Sequence, residues 1–416
     1  MLQTIKYKFI FKVIFFNIIF ILLLIYLFEF LFTTYKATIF YQEKLIKNNR
    51  NIFHNLMDIN KTNGGEAAVV PLHPAVLLRE NMFSEIKIIS SENKSNVEEV
   101  FPLSGISKKF TLFCQESDFI AEYTSDRFGF NNDDKLYDYK EIDFLLIGDS
   151  YTHGMCVNYN DTFQGNFNKK NFKTISLGYS GNGSLLEYAT LREYIDVVKS
   201  KAIIWMYSEN DIDEMAIENK IKFLKKYLED ENYSQKHSNN QVLIDKIQNN
   251  NLKKLIENQE RLESIFIDFN SIKLKNILNL KNIKNLIRVN FKLYIPLTKE
   301  KKNTDENFKI FSEIILKASN LSKERNSNFY FVMLPSYPGT IKETEERYYD
   351  YKKVKEIITE LEINLIDLSE EMFKKEKNPK EFFPFGIAGH YTIEGYKLAT
   401  DIILSKINQM SFKSKP

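Results

Sequence analysis

Apolar positions divide the chain into one long N-terminal run and a later series of short strands and amphipathic helices. The long run covers residues 9–32, and between Val13 and Phe28 only Asn17 interrupts it. Roughly 20 apolar residues, at about 1.5 Å of helix rise per residue, are enough to span a hydrocarbon core. The pattern therefore predicts a transmembrane helix close to the N-terminus.

The end of this run favours a retained signal anchor over a cleaved signal peptide. Residues 32–36 read Phe-Thr-Thr-Tyr-Lys, which contains no small-x-small cleavage site. Lysines flank the run on both sides, Lys6, Lys8 and Lys12 before it and Lys36, Lys44 and Lys47 after it. The first group favours a cytoplasmic N-terminus. We expect a cytoplasmic tip and anchor over residues 1–35, a single pass through the membrane, and a periplasmic or otherwise extracytoplasmic domain.

Strand-like and helix-like patterns alternate in much of the remaining chain. Apolar residues recur at helical spacing over residues 185–198 and 308–315. The predicted strands are residues 144–147, 173–177, 202–207, 329–334 and 363–366. Alternation of this kind predicts an α/β fold with a parallel sheet covered by helices on both faces, which is a three-layer α/β/α sandwich.

The same pattern sets the expected domain boundaries. Residues 36–105 contain the turn cluster Asn63-Gly64-Gly65 and the prolines Pro71 and Pro74, so we expect a stalk or linker there. The α/β domain is expected over residues 106–410. Alternation stops over about residues 212–303, where Asn, Lys, Ile and Leu at helical spacing predict a helical insertion. Three interpretations of this insertion are open: a lid over a site, a surface that binds a partner, or a segment without a function of its own.

Composition narrows the classes of function. The chain has 416 residues, of which 44% are hydrophobic, so it can bury a large core. The formal net charge is +2 and no basic stripe is interleaved with aromatic residues, so we expect no nucleic-acid partner. Two cysteines are too few for a disulfide framework or a cysteine-based zinc site. Cys114 and Cys156 form either one disulfide or two free thiols.

Four short polar blocks follow the strand candidates in a set order. They are Gly148-Asp149-Ser150, then Gly178 to Gly183, then Glu209-Asn210-Asp211, and finally Gly389-His390. Open α/β sheets place their chemistry beyond the carboxyl ends of the strands. A serine at such a position needs a base and oxyanion donors to act as a nucleophile. Each block alone is typical of a cap or a turn, and the order of all four carries the functional interpretation.

Together the four blocks resemble the SGNH, or GDSL-type, hydrolase family over about residues 120–215 and 305–407. The resemblance implies a flavodoxin-like sandwich with a short parallel sheet. It assigns Ser150 as the nucleophile and His390 as the base. It also implies an oxyanion hole formed by the Ser150 N–H, the side chain of Asn210 and a glycine N–H. That glycine is Gly181, with Gly178 as the second choice, and no metal or nucleotide cofactor is expected.

The last block departs from the family pattern Asp-x-x-His. Ile387 occupies the position of the carboxylate that orients the histidine. Two replacements are open. The favoured one is a backbone carbonyl near Gly386 or Ile387, which gives a Ser–His dyad. The other is Asp367, which follows the last predicted strand.

The resemblance implies a membrane-anchored serine esterase that forms an acyl-enzyme. By analogy with anchored relatives, its expected substrates are O-acyl esters, such as O-acetyl groups, of cell-envelope carbohydrate. The same site also fits an O-acyltransferase. Because the usual aspartate is missing, a non-catalytic binding protein of the envelope is a third alternative. The sequence identifies neither the protein partners nor the oligomeric state.

Overall fold

The computed structural model describes most of the chain. The described residues are 2–36, 47–63, 67–79, 100–117, 119–257, 280, 283, 304–336, 345–373, 378–386 and 389–413. The chain divides into two compact units. The first comprises residues 1–51 and 259–302, and the second comprises residues 52–258 and 303–416.

The first unit contains the N-terminal helix α1, Leu2–Lys36. Its segment Ile10–Phe32 is long and apolar enough to cross a membrane, and it is exposed rather than packed in a core. This agrees in length and position with the membrane span predicted over residues 9–32. Retention of this helix as an anchor stays a prediction from the residues that follow it.

Eight strands lie in the described part of the second unit. In chain order they are β1 (Ala68–Val69), β2 (Phe110–Cys114), β3 (Ala121–Thr124), β4 (Ile142–Gly148), β5 (Thr174–Ser176), β6 (Ser200–Ser208), β7 (Asn328–Leu334) and β8 (Asn364–Asp367). The last five form one parallel sheet in the order β5-β4-β6-β7-β8. Each of these five overlaps a predicted strand, so the predicted parallel sheet is confirmed.

Further helices of the described residues lie between and around these strands. They are α2 (Lys47–Thr62), α3 (Pro74–Arg79), α4 (Ser150–His153), α5 (Phe163–Lys169), α6 (Ser184–Tyr194), α7 (Asp211–Glu218), α8 (Lys222–Glu229), α9 (Gln241–Glu257), α10 (Asp305–Glu324), α11 (Glu345–Glu360) and α12 (Ile393–Lys413). Shorter helical turns cover Asp134–Asp138, Tyr159–Asp161, His237–Asn239, Ser369–Phe373, Pro379–Phe382 and Pro384–Gly386.

Helices cover both faces of the parallel sheet. On one face, Leu146 of β4 belongs to a buried cluster with Phe167 of α5 and Ile403 of α12. On the other face, Tyr207 of β6 packs against Phe311 of α10, with ring centroids 5.6 Å apart. Successive residues of a strand point to opposite faces of the sheet. Because helices cover both faces here, the strands consist mainly of consecutive apolar residues. The predicted three-layer α/β/α sandwich is confirmed.

A second sheet occupies part of the segment expected to be a stalk. It has the order β1-β2-β3, with Ala68 opposite Phe110 in a parallel pairing. The compact unit begins at Ile52 rather than near residue 106, and Val69, Leu77 and Phe101 are buried in it. Pro74 is the first residue of α3, a position that suits proline because no N–H is needed there. The expected stalk over residues 36–105 is therefore wrong for the described residues 52–63, 67–79 and 100–105, which belong to the folded unit.

The described part of the predicted insertion is helical, as expected, with α7, α8 and α9 over residues 211–257. Residues 258–303 lie outside the described residues, apart from Leu280 and Ile283. Glu193 of α6 anchors the insertion to the domain. Its carboxylate accepts hydrogen bonds from the Tyr227 hydroxyl at 2.6 Å and from the Gln235 N–H at 2.6 Å. These contacts attach α8 and the segment after it to the C-terminal end of α6.

Candidate active site

Ser150 begins α4 directly after β4, as the strand pattern predicts. Asp149 caps this helix, because its Oδ1 accepts a hydrogen bond from the Tyr151 N–H at 3.1 Å. Gly148 has no room for a side chain, since a Cβ there would lie 2.6 Å from the carbonyl oxygen of Met206. This close approach of β4 to β6 holds Ser150 at the carboxyl edge of the parallel sheet.

His390 lies in the loop before α12, within hydrogen-bonding distance of Ser150. Its Nε2 is 2.8 Å from Ser150 Oγ, although 240 positions separate the two residues in the sequence. The Tyr151 ring packs against the imidazole, with ring centroids 4.8 Å apart. The structure thus brings together the two residues that the sequence assigned as nucleophile and base.

Glu116, a residue outside the four sequence blocks, orients His390. Its Oε1 lies 2.9 Å from His390 Nδ1, and its Oε2 accepts a hydrogen bond from the His390 backbone N–H at 2.7 Å. Gly389 permits this approach, because its φ is 108° and a Cβ there would lie 2.6 Å from Glu116 Oε2. An ionised carboxylate can only accept, so Nδ1 carries the proton and Nε2 is free to accept the serine proton.

Glu116 and His390 shift each other's pKa. Burial lowers the pKa of His390, but the charge and hydrogen bond of Glu116, together with the charge of Asp149, outweigh it, so the pKa lies above its ordinary value. Burial raises the pKa of Glu116, but the charge of His390 and two hydrogen bonds bring it below its ordinary value. The pair therefore favours an imidazolium beside a carboxylate. That is the state a general base reaches after it takes a proton from serine.

Glu116 replaces both orienting groups expected from the sequence. Asp367 ends β8, three strands away from β4, so it does not reach His390. Its carboxylate instead accepts hydrogen bonds from the Tyr351 hydroxyl and from Lys355 Nζ. The expected dyad with a backbone carbonyl is also corrected, because a carboxylate oxygen occupies the Nδ1 position. Ile387 itself lies outside the described residues.

A disulfide joins the segments that carry the acid and the nucleophile. Cys114 ends β2, two residues before Glu116, and it is bonded to Cys156, which follows α4. Of the two states left open by the sequence, the structure has the bonded one. In the described part of the chain, one set of three possible metal ligands has its ligand atoms within 4.8 Å of one another. It consists of Cys114, Glu116 and Cys156. Because bonded cysteines offer no thiolate, this group does not fit a metal ion.

Asn210 and Gly181, which were expected to stabilise an oxyanion, lie in loops at neighbouring strand ends. Asn210 follows β6, the partner of β4, and its Nδ2 is 3.3 Å from Asp149 Oδ2. Gly181 lies in the loop after β5 with a φ of 79°, a backbone conformation that favours glycine. The Gly178 N–H is already used, since it donates to Ser176 Oγ at 3.2 Å. This difference favours Gly181 over Gly178 as a donor.

His153 supports the loop that carries Gly181, a role that no motif indicates. It is fully buried, and its Nδ1 accepts a hydrogen bond from the Ser180 N–H at 3.3 Å. Burial lowers the pKa of His153 well below its ordinary value, so the ring is neutral. Since Nδ1 accepts, Nε2 carries the proton and donates to the Tyr123 hydroxyl at 3.0 Å.

No protein-family model and no curated protein matches this chain. Among solved structures, it is similar to the lipase/acylhydrolase from Enterococcus faecalis, with 12% identity and a TM-score of 0.36 over 65% of this chain and 97% of that chain. It is also similar to a GDSL-like lipase from Bacteroides thetaiotaomicron, with 14% identity and a TM-score of 0.34 over 65% of this chain and 89% of that chain.

Proposed function

We propose that the protein is a serine esterase in which Ser150 is the nucleophile, His390 the general base and Glu116 the residue that orients His390. One observation carries the proposal, a continuous series of contacts. Glu116 Oε1 lies 2.9 Å from His390 Nδ1, and His390 Nε2 lies 2.8 Å from Ser150 Oγ. This order of acid, imidazole and hydroxyl recurs in serine hydrolases of unrelated fold.

In the first half of the reaction, Ser150 Oγ attacks the ester carbonyl carbon while its proton moves to His390 Nε2. The negative charge of Glu116 stabilises the imidazolium that forms. The tetrahedral intermediate carries its charge on the former carbonyl oxygen. We assign the Ser150 N–H, the Gly181 N–H and the Asn210 Nδ2 as its hydrogen-bond donors. Collapse breaks the bond to the alkoxy oxygen, which leaves as an alcohol with the proton from His390.

In the second half, water attacks the acyl-enzyme at the same carbonyl carbon. His390 Nε2 takes a proton from this water and returns it to Ser150 Oγ as the carboxylic acid leaves. The side chains of His390 and Glu116 keep 20% and 17% of their surface exposed, so water can reach this part of the site. A sugar hydroxyl in place of that water would turn the same acyl-enzyme into an acyltransferase.

The proposed substrate is an O-acyl ester, such as an O-acetyl group, of cell-envelope carbohydrate, and the proposed location is the outer side of the cytoplasmic membrane. The helix Ile10–Phe32 supports attachment to a membrane. The Cys114–Cys156 disulfide supports an oxidising compartment, because disulfides rarely persist in the cytosol. The O-acyl carbohydrate follows from the family resemblance of the four sequence blocks and from this location.

Covalent labelling and ester hydrolysis test the proposal. The full chain in detergent should react with a fluorophosphonate probe and hydrolyse p-nitrophenyl acetate. Ser150→Ala should abolish labelling and lower kcat by about 10⁴-fold to 10⁶-fold, as expected for loss of a serine nucleophile. Ser405→Ala, at an exposed position of α12, is the matched control and should behave as the wild type. A folded wild-type protein that neither labels nor hydrolyses would favour the non-catalytic binding protein.

A further inference from the structure

The hydroxyl of Ser208, at the end of β6, contacts more acceptors than its single proton can serve. Ser208 Oγ lies 2.7 Å from Asn210 Oδ1, 2.9 Å from Asp149 Oδ2 and 2.9 Å from Asp211 Oδ1. All three partners are oxygens that normally accept, and Ser208 is fully buried. A buried contact between two acceptors without a proton is unfavourable, and one hydroxyl proton does not serve three acceptors equally. At least one of the three partners must therefore donate a proton to Ser208 Oγ.

Asp211 is the partner best placed to carry that proton. Asp149 Oδ2 already faces the donor Asn210 Nδ2 at 3.3 Å, and it lies 3.0 Å from Ser150 Oγ. Asp211 uses Oδ2 to accept from the Ser208 backbone N–H at 2.7 Å, which leaves Oδ1 facing the hydroxyl. A proton on Asp211 Oδ1 is donated to Ser208 Oγ. The proton of Ser208 is then shared between Asn210 Oδ1, its shortest contact, and Asp149 Oδ2.

The surroundings of Asp211 favour this neutral acid. Asp211 is fully buried, and three other buried carboxyl groups, Asp149, Glu187 and Glu218, lie around it. Burial, followed by the charge of Asp149, raises the pKa of Asp211 well above its ordinary value. The pKa of Glu187 is raised in the same way, by burial first and then by the charge of Asp211. A cluster of buried acids lowers its energy by keeping some of its members protonated.

We propose that Ser208 and a neutral Asp211 are positioning residues that fix the side-chain amide of Asn210. With Oδ1 held by the Ser208 hydroxyl, Nδ2 is directed to the side of Asp149 and Ser150. One of its two hydrogens then donates to Asp149, and the other is available to an oxyanion on the substrate. This inference depends on the proposed esterase function, since it concerns a donor that acts in the same reaction.

Loss of the hydroxyl should affect turnover more than substrate binding. Removal of an oxyanion donor itself costs about 10²-fold to 10³-fold in kcat. Ser208→Ala leaves the amide in place but free to rotate, so we expect a smaller loss, about tenfold in kcat. The KM should change by less than about twofold, because the donor acts on charge that develops only in the transition state.

Two substitutions at position 211 separate a proton-donating role from a packing role. Asp211→Asn keeps the shape of the acid and offers an N–H to Ser208 Oγ, as the neutral acid offers its O–H. It should retain kcat within about threefold of the wild type, whereas Asp211→Ala should lose as much as Ser208→Ala. Wild-type kcat in Ser208→Ala would overturn the proposal. An equal loss in Asp211→Asn and Asp211→Ala would also overturn it, because an ionised Asp211 would then be required.

An infrared measurement tests the proton on Asp211 without any activity. At neutral pH, the difference spectrum between wild type and Asp211→Asn should contain the carbonyl stretch of a neutral carboxylic acid, and only the wild type should contribute it. A carboxylate band in its place would overturn the proposal. The two failures are distinguishable. Absence of labelling in a folded wild type counts against the esterase, whereas normal labelling with unaffected Ser208→Ala turnover counts against the positioning role alone.

Discussion

The nucleophile and the acid of the proposed site come from two sheets built in different ways. Ser150 follows β4, an interior strand of the five-stranded parallel sheet, whereas Glu116 follows β2 of the small three-stranded sheet. The parallel sheet fixes where a nucleophile must lie, at the carboxyl end of a strand. The acid only has to reach His390 Nδ1, so any neighbouring element can supply it. The position of the nucleophile is therefore fixed by the fold, whereas the acid is supplied by a segment particular to this chain.

Among substitutions that distinguish the parallel sheet from the three-stranded sheet, replacement of Glu116 should have the largest effect on activity. Glu116→Gln should lower kcat by about 10²-fold to 10⁴-fold, because the histidine loses the charge that fixes its tautomer and stabilises the imidazolium. The measurement is ester hydrolysis by the full chain in detergent, with circular dichroism to verify folding.

Asp367→Asn is the matched control for this prediction. It removes the carboxylate that the sequence offered as an alternative, and that carboxylate contacts Tyr351 and Lys355 instead of His390. Its kcat should stay within about twofold of the wild type, as expected for a residue outside the reacting groups. The reverse result, a severe loss in Asp367→Asn and none in Glu116→Gln, would assign the acid to the parallel sheet.

Removal of the disulfide should lower activity less than Glu116→Gln does, and it should clearly lower stability. The bond closes a segment between positions 42 residues apart, so replacing both cysteines by serine should cost about 3–4 kcal/mol of unfolding free energy. Because the segment that carries Glu116 is then held less firmly, kcat should fall by about tenfold. Chemical denaturation and ester hydrolysis are the two measurements.

A double substitution shows whether the disulfide acts through Glu116. In a Glu116→Gln background, the acid is already absent. Replacing both cysteines in that background should therefore lower kcat only slightly below the kcat of Glu116→Gln alone. Full additivity of the two losses would mean that the disulfide supports the nucleophile helix instead.

The three longest strands of the parallel sheet, β4, β6 and β7, could be predicted from the sequence because each contains an uninterrupted apolar run. The run before Gly148 is buried on both faces, so it contains no polar positions that would obscure its limits. Ser150 and His390 were predicted from the order of the four polar blocks and the family that those blocks resemble. Their 2.8 Å contact is consistent with those assignments.

Glu116 and the small sheet could not be predicted in the same way. β1 has only two residues, too few for a periodic signal. Glu116 is 274 positions from His390, and it follows a five-residue strand whose partners are equally short. Pairing over such distances depends on tertiary packing, which local patterns do not contain. The one available signal was Cys114, since a disulfide to Cys156 would bring the residues after β2 close to α4.

The pH dependence of kcat/KM tests the central claim, that Glu116 acts on the catalytic base, most directly. His390 must be neutral to accept the serine proton, so activity falls as pH drops through the His390 pKa. Glu116 raises that pKa, whereas burial of the ring lowers it. The account predicts that Glu116→Gln moves the acidic limb of the profile to lower pH than in the wild type. An acidic limb at the same pH in both proteins, or at higher pH in the variant, would contradict it.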